Sequence, residues 1–409
     1  MFVLQCRSVL AIVISIALVA CADNETPLQP VKLKISKETT YVDGPMRSNG
    51  LIAYVQAYEN ICAEGVTSDN NAAVLLAQAY GPAMFSDEQY MLRVFSKLGV
   101  AVPEGDCIVG DWDLIAVICD ADGFRRDNPR RARHVESWLH ALPEGITEEA
   151  HTRFSSREEF EKEAEMQFGL ALQKPWRAED YSIVDAWLRI NEKPLALVER
   201  AVQRSHYFFP IDARPNGEVF AQTLLPALGR HRVVVRLLAA RAMFKLQRGD
   251  RDGAWHDLRT AYRLPSLIAE PMLIPDLVAV SIEALLAESL KVLVIEGNLS
   301  EAQLWRILND YGQIRPRPPI QRALSTAERF AMLDELTTFK NSGLEGVRGN
   351  IEGAGTLNEA QASQIEILLD PNYVLRELNR LFDDLIRACE LDTYARRTAA
   401  YDVFDRRNM

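Results

Sequence analysis

Two pairs of carboxylates stand close together in one stretch of this chain, Asp111-Trp112-Asp113 and Asp120-Ala121-Asp122. Paired acids can act as general acid and nucleophile in glycoside hydrolysis when they face each other across roughly 5–9 Å. Asp120-Ala121-Asp122-Gly123 also matches a fragment of a calcium loop. The fragment is incomplete, because Ile118 stands at its first ligand position and Pro129 where the closing glutamate belongs. The six histidines, His134, His140, His151, His206, His231 and His256, are scattered. None forms the HExxH pair that would place two ligands on one helix face, and no Gly-x-Ser-x-Gly elbow presents a nucleophile. Gly353-Ala354-Gly355 has neither a strand before it nor a Gly-Lys-Ser/Thr after it, so it is no phosphate loop. The expectation is a protein with no metal, no cofactor and no catalytic centre. The alternative is a hydrolase worked by the carboxylates near residues 111–122.

The cysteines carry a different chemistry. Leu18-Val19-Ala20-Cys21 closes a short apolar segment in which Arg7 is the single basic residue. Ser8 to Ala20 is long enough for a signal-peptide core and short of the roughly 20 apolar residues that cross a bilayer. The pattern resembles the lipobox of bacterial lipoproteins. That resemblance implies cleavage before Cys21, lipid attachment at Cys21, and anchoring at a membrane of the bacterial cell envelope. An ordinary cleaved signal and an uncleaved anchor are the other readings. Ala22 follows the cysteine, so the aspartate that retains some lipoproteins at the inner membrane is absent, and the face, periplasmic or outer, stays open.

Cys62, Cys107, Cys119 and Cys389 remain. Export permits disulfides, and a Cys107–Cys119 bridge is one reading; buried free thiols are the other, and spacing does not choose between pairings. No C-x-x-C spacing supports zinc.

A net charge of -11 and a pI near 5.2 exclude general nucleic-acid binding, which needs a basic footprint. The expected partners are the membrane, through the N-terminal lipid, and a possible protein partner, with no nucleic acid. Arg125, Arg126, Arg130, Arg131 and Arg133 form the densest basic cluster and read as a solvated loop, with a docking site for an acidic partner or a lipid headgroup as the other reading.

The elements that position these residues are helical. Apolar residues recur at helical spacing over 51–61, 72–79 and 90–98, the last opened by a capping box at Ser86-Asp87-Glu88-Gln89. Leu114 to Cys119 reads as strand or buried helix, and Val31 to Ile35 as a brief strand. Further helices run over 180–190, from Pro194, over 232–247, from Ala254, over 275–295 and over 301–311, with Ser300 and Gln303 as a second capping box. The turns at Gly249 and Gly297 resemble those of tetratricopeptide-type repeats, but lie 48 residues apart instead of 34. The fold class is therefore all-α: stacked helical hairpins in a repeat-like irregular α-solenoid or bundle, with a short irregular segment near 100–135. Residues 1–20 are the signal peptide, 21–47 a lipidated tether and 48–145 an N-terminal helical region. A hairpin domain spans 146–342, a Gly-rich linker 343–357 and C-terminal helices 358–409.

Several strings stand together: Glu64-Gly65-Val66-Thr67, Asn70-Asn71-Ala72-Ala73-Val74, Ala79-Tyr80-Gly81-Pro82, Pro175-Trp176, Trp187-Leu188, Asn191-Glu192-Lys193-Pro194-Leu195 and Gly253-Ala254-Trp255. Over roughly residues 48–300 they resemble an uncharacterised family of exported proteins of planctomycete-type bacteria. The resemblance implies export and assigns no activity. The aromatic run His206 to Pro210 reads as packing between helices, with the lining of a groove or pocket as the other reading. The functional expectation is a lipid-anchored structural or protein-interaction module acting through a helical surface.

Overall fold

The computed structural model describes residues 32–129, 131–148, 156–211, 220, 225–342, 370–393 and 395–399. The signal peptide, Cys21, the Gly-rich linker and the helix expected from 358 lie outside the described residues. Within them the chain is all-helical, in helix-on-helix packing.

The N-terminal helices are α1 (Tyr54–Cys62), α2 (Ala72–Tyr80), α3 (Glu88–Lys97), α4 (Asp111–Cys119), α5 (Ala121–Asp127) and α6 (Val135–Ala141). Then come α7 (Arg157–Ala171), α8 (Ser182–Ile190), α9 (Glu192–Ala201), α10 (Ala227–Gln247), α11 (Arg251–Ile268), α12 (Leu273–Glu296) and α13 (Glu301–Gly312). A π-helical turn, Leu324–Glu328, leads into α14 (Arg329–Ser342), and α15 (Pro371–Cys389) follows.

Local chemistry sets the starts. Asn71 caps α2 by accepting from Ala73 N–H, and Asp250 caps α11 through Gly253 N–H. Ser300 and Gln303 form the reciprocal capping box of α13 as expected. At α3 the cap is Asp87, accepting from Tyr90 N–H at 2.6 Å, one residue beyond the expected Ser86. The apolar run 114–119 is helix, and α4 and α5 make 111–127 regular. Among the described residues, 100–110 and the turn at 128–131 are the irregular parts of the 100–135 segment. No strand forms at 32–35, where Val31 to Ile35 read as one.

The hairpin expected at 232–264 is present as α10 and α11, turning at Gly249, whose φ of 78° suits a residue without a Cβ. Helix α10 is apolar on several faces, with Leu237, Leu238, Ala239, Ala240, Ala242 and Met243 all buried, so it runs through the interior with helices on several sides. Trp255 is buried on α11 and donates its indole N–H to Asp310 of α13 at 2.8 Å.

Buried apolar side chains gather into two cores. The larger joins α2 to α13. The smaller joins α1, the π turn, α14 and α15. Residues 32–47 belong to the smaller core, correcting the expected tether over that stretch. Thr39 and Thr40 are buried, Lys34 N–H donates to Asn372 at 2.7 Å, and Asn379 donates to the carbonyls of Glu38 and Thr39. Arg47 grips Asp334 with two 2.8 Å bonds. Buried Arg329 lies 4.1 Å from the Tyr41 ring centroid and bonds Asp383.

One extended segment threads the seam between the cores. His206 bridges in parallel to Asn71, and the backbone then alternates: Tyr207 and Phe209 face the larger core and Phe208 the smaller. Asn71 holds this segment, accepting from Phe208 N–H at 2.9 Å and donating to Phe208 C=O at 3.0 Å.

Candidate functional site

The carboxylates near 111–122 are brought onto neighbouring elements, and each is engaged. Asp111 pairs with Arg236 at 2.7 Å. Asp113 binds Arg131 at 2.5 Å and Arg230 at 3.3 Å. Burial alone would push the Asp113 carboxyl up, but the two guanidiniums outweigh it and hold it below the ordinary carboxylate range. Asp120 caps α5 through Gly123 N–H, and Asp122 pairs with Arg125. Arg131 is therefore a buried structural cation, a correction to the solvated-loop reading of the basic cluster; Arg130 lies outside the described residues.

Cys62, Cys107 and Cys119 are free thiols, so the Cys107–Cys119 bridge is not formed. Cys107 instead packs against the backbone at Gly81, where no Cβ would fit. Cys119 lines an open groove of about 750 Å³ with Asp120, Asp122, His140 and Glu144. Burial raises the pKa of Cys119, which keeps this thiol protonated and a poor nucleophile.

One histidine does meet two acids. Ligand atoms of Glu199, His256 and Asp257 lie within 4.8 Å of one another. Their negative charge is already neutralised: Arg241 bridges Glu199 at 2.5 Å and Asp257 at 2.7 Å, and Lys245 adds a 2.8 Å contact to Asp257. A metal ion would have to displace two cations, so buried Asp257 and half-buried Glu199 form a salt-bridge network with exposed His256 beside it.

The arrangement with unspent chemistry lies at the seam of the two cores. Glu270 sits in the short connection between α11 and α12. Glu270 is half-buried, and so is Tyr207. The only hydrogen bond to the Glu270 carboxyl among the described residues is a long one, 3.4 Å, from Phe209 N–H. Burial pushes this carboxyl up to about 8; the Phe209 N–H opposes the shift and nearby Glu59 adds to it. A carboxyl so shifted is mostly protonated at neutral pH.

The smaller core supplies the opposite wall. Tyr58 and Cys62, one turn apart on α1, both lie within electrostatic reach of Glu270. Tyr58 is fully buried, and its hydroxyl, which meets no solvent, lies beside the Cys62 thiol. Burial drives the Tyr58 and Tyr207 phenols well above their usual range and the Cys62 thiol up to about 12, so all three stay neutral. Behind Tyr207, His231 accepts or donates 2.7 Å from Tyr80 and 3.3 Å from Tyr207.

No residue of this cleft stood out as a site in the sequence. Tyr58, Tyr207, His231 and Glu270 come from four separated segments; His206 to Pro210 read as packing, with the lining of a groove or pocket as the other reading. One signal was present: Glu270 is the single charge in the apolar run Leu267 to Pro275.

On the surface, α13 shows Leu304, Trp305, Leu308 and Tyr311, which are 41%, 57%, 58% and 47% exposed. Positions 304, 308 and 311 recur at i, i+4 and i+7, a continuous apolar row. The chain matches no protein-family model, no curated protein and no solved structure.

Proposed function

We propose that this protein is a binding module of the bacterial cell envelope, held to a membrane by lipid on Cys21, whose helical body receives a small ligand in the cleft at Glu270. The observation that carries the binding reading is the Glu270 carboxyl itself. A buried ionisable group costs free energy unless paired or hydrogen-bonded. Among the described residues Glu270 accepts one weak bond, with the Tyr58 and Tyr207 phenols near it. Polar groups converging in an enclosed, mostly aromatic space are the usual make-up of a small-molecule site. The carboxylates of the hydrolase alternative are by contrast committed to arginines and a helix cap.

Native mass spectrometry of the protein extracted from its own membranes tests both parts. The reading expects a lipid-modified N-terminus at Cys21 and a bound small molecule that Glu270→Gln loses. An unmodified N-terminus in the wild type would contradict the anchoring, and an adduct retained by Glu270→Gln would contradict the site.

A second reading, docking of a partner protein's amphipathic helix, is favoured by α13. A terminal repeat in a helical stack is normally polar on its outer face. Helix α13 packs on α11 through Ile307 and Asp310, yet carries its apolar row outward. Rows at i, i+4 and i+7 are what helix-in-groove partners engage.

A further inference from the structure

We infer that α13 is a homodimer interface, on which the same helix of a second copy lies antiparallel about a two-fold axis through Leu308. The inference rests on the second reading above, docking of an amphipathic helix on α13, and names the partner.

The polarity of α13 is inverted. Its inward face is mostly polar: Gln303 and Arg306 both bond Asp252 of α11, and Asp310 accepts from Trp255 and Arg259. Ile307 is its one buried residue. A surface helix ordinarily buries its apolar stripe and leaves the polar one wet. Here Leu304, Trp305, Leu308 and Tyr311 face outward, and Val294 and Ile295, 45% and 68% exposed, stand just before the turn into α13. Both exposed rings are already held in place. The Trp305 indole donates to Glu301 at 3.4 Å, and the Tyr311 ring meets Tyr262 of α11 edge-on with centroids 5.3 Å apart. Aromatic anchors fixed in advance lose little freedom when a partner arrives.

The row is complementary to itself. In an antiparallel pair with its axis at Leu308, residues equally far before and after that position come level. Leu308 then meets Leu308 of the second copy, Trp305 meets Tyr311, and Leu304 lies over Gly312, which has no side chain to obstruct it. Glu301 comes level with Arg315, exposed just past the helix end. Arg315 donates to the Ser205 carbonyl at 2.9 Å, which uses one of the five donors of a guanidinium. A parallel pair would instead set Glu301 beside Glu301 and align the two helix dipoles. The area also suffices. At ~150–250 Å² for a large side chain, the six exposed residues present on the order of 500 Å² of mostly apolar surface. With about 60% of an interface apolar, roughly 800 Å² would be buried on each copy, the usual size for a stable complex.

A bilayer fits this face less well. Helices that lie on membranes carry Lys and Arg along their polar side. The charges on α13 and at the end of α12 are Glu296, Glu301, Arg306 and Asp310, and Arg306 is already paired with Asp252. In a chain of net charge -11, an anionic leaflet repels such a helix.

Photo-crosslinking in cells that produce the full chain tests the occupant. With Leu308→p-benzoylphenylalanine, the expected product has twice the mass of the chain and contains this chain alone. A product with a different polypeptide overturns the dimer and leaves the docking reading standing. A crosslink within one chain, a crosslink to lipid, or no crosslink overturns both. Sedimentation equilibrium of the full chain in detergent tests the register. Leu308→Glu, which sets two carboxylates on the axis, is expected to weaken the dimer about a hundredfold or more. Glu301→Arg is expected to weaken it about tenfold, and adding Arg315→Glu to bring it back within about threefold of the wild type, because the reversed charges pair again. All three positions are exposed, so an unchanged melting curve shows that each variant folds. A wild type that stays monomeric, a dimer indifferent to Leu308→Glu, or a double variant no tighter than Glu301→Arg alone overturns the assignment.

Discussion

The hydroxyl of Tyr80 and Nδ1 of His231 lie 2.7 Å apart inside the larger core, and the other ring nitrogen of His231 lies 3.3 Å from the hydroxyl of Tyr207. A neutral imidazole has one donor and one acceptor nitrogen, so one phenol donates to it and the other accepts. Burial lowers the His231 pKa to about 3, which keeps the ring neutral. The chain Tyr80–His231–Tyr207 therefore ends at the Glu270 cleft as a rigid, uncharged support that fixes one of its walls.

His231 and Glu270 should pull the pH dependence of stability in opposite directions. His231 has a folded pKa depressed from 6.5 to about 3, so its contribution is present above 6.5 and is lost as pH falls toward 3. Glu270 has a folded pKa raised from 4.5 to about 8, so its contribution is complete below 4.5 and is lost as pH rises through 8. Between about pH 4.5 and 6.5 the two slopes, each up to ~1.4 kcal/mol per pH unit, oppose each other. In urea unfolding, Glu270→Gln should be more stable than wild type at pH 8 and should lose stability more steeply on acidification below pH 6.5. Parallel pH profiles for the two proteins would contradict this.

Trp255→Ala should lower the stability by about 3–5 kcal/mol, the usual cost of truncating a buried tryptophan. The substitution also removes the indole bond to Asp310, leaving that carboxylate with Arg259 alone on α11. Thermal unfolding is the check; an unchanged melting temperature would mean that α13 does not depend on this contact.

How much was legible followed from range. Helices announced themselves through local periodicity and caps, down to the turn at Gly249 and the inward face of Trp255. Asp111 and Asp113 were visible as paired acids, but their arginines arrive from 131, 230 and 236, so their structural role was not. Residues 32–47 read as a tether because they are polar and rich in turn residues. Their burial depends on backbone bonds to Asn372 and Asn379, more than 330 residues away. Glu270 was one charge in an apolar run, and nothing local told which phenols would surround it.

Asp257→Ala should cost about 3–5 kcal/mol, because it leaves the partly buried cations Arg241 and Lys245 without their shared partner. Adding zinc or calcium to the wild type should leave its melting temperature unchanged. A rise with metal that Asp257→Ala abolishes would show that Glu199, His256 and Asp257 hold an ion after all.

The account rests on Glu270 being a desolvated carboxyl with no cation among the described residues. Carbon NMR of protein labelled at the glutamate side-chain carboxyl, with the resonance assigned by its disappearance in Glu270→Gln, measures this directly across pH 5 to 10. The predicted result is a titration midpoint near 8 in the ligand-free protein. A midpoint near the ordinary glutamate value of 4.5 would mean that Glu270 is solvated or already paired, and would contradict the account.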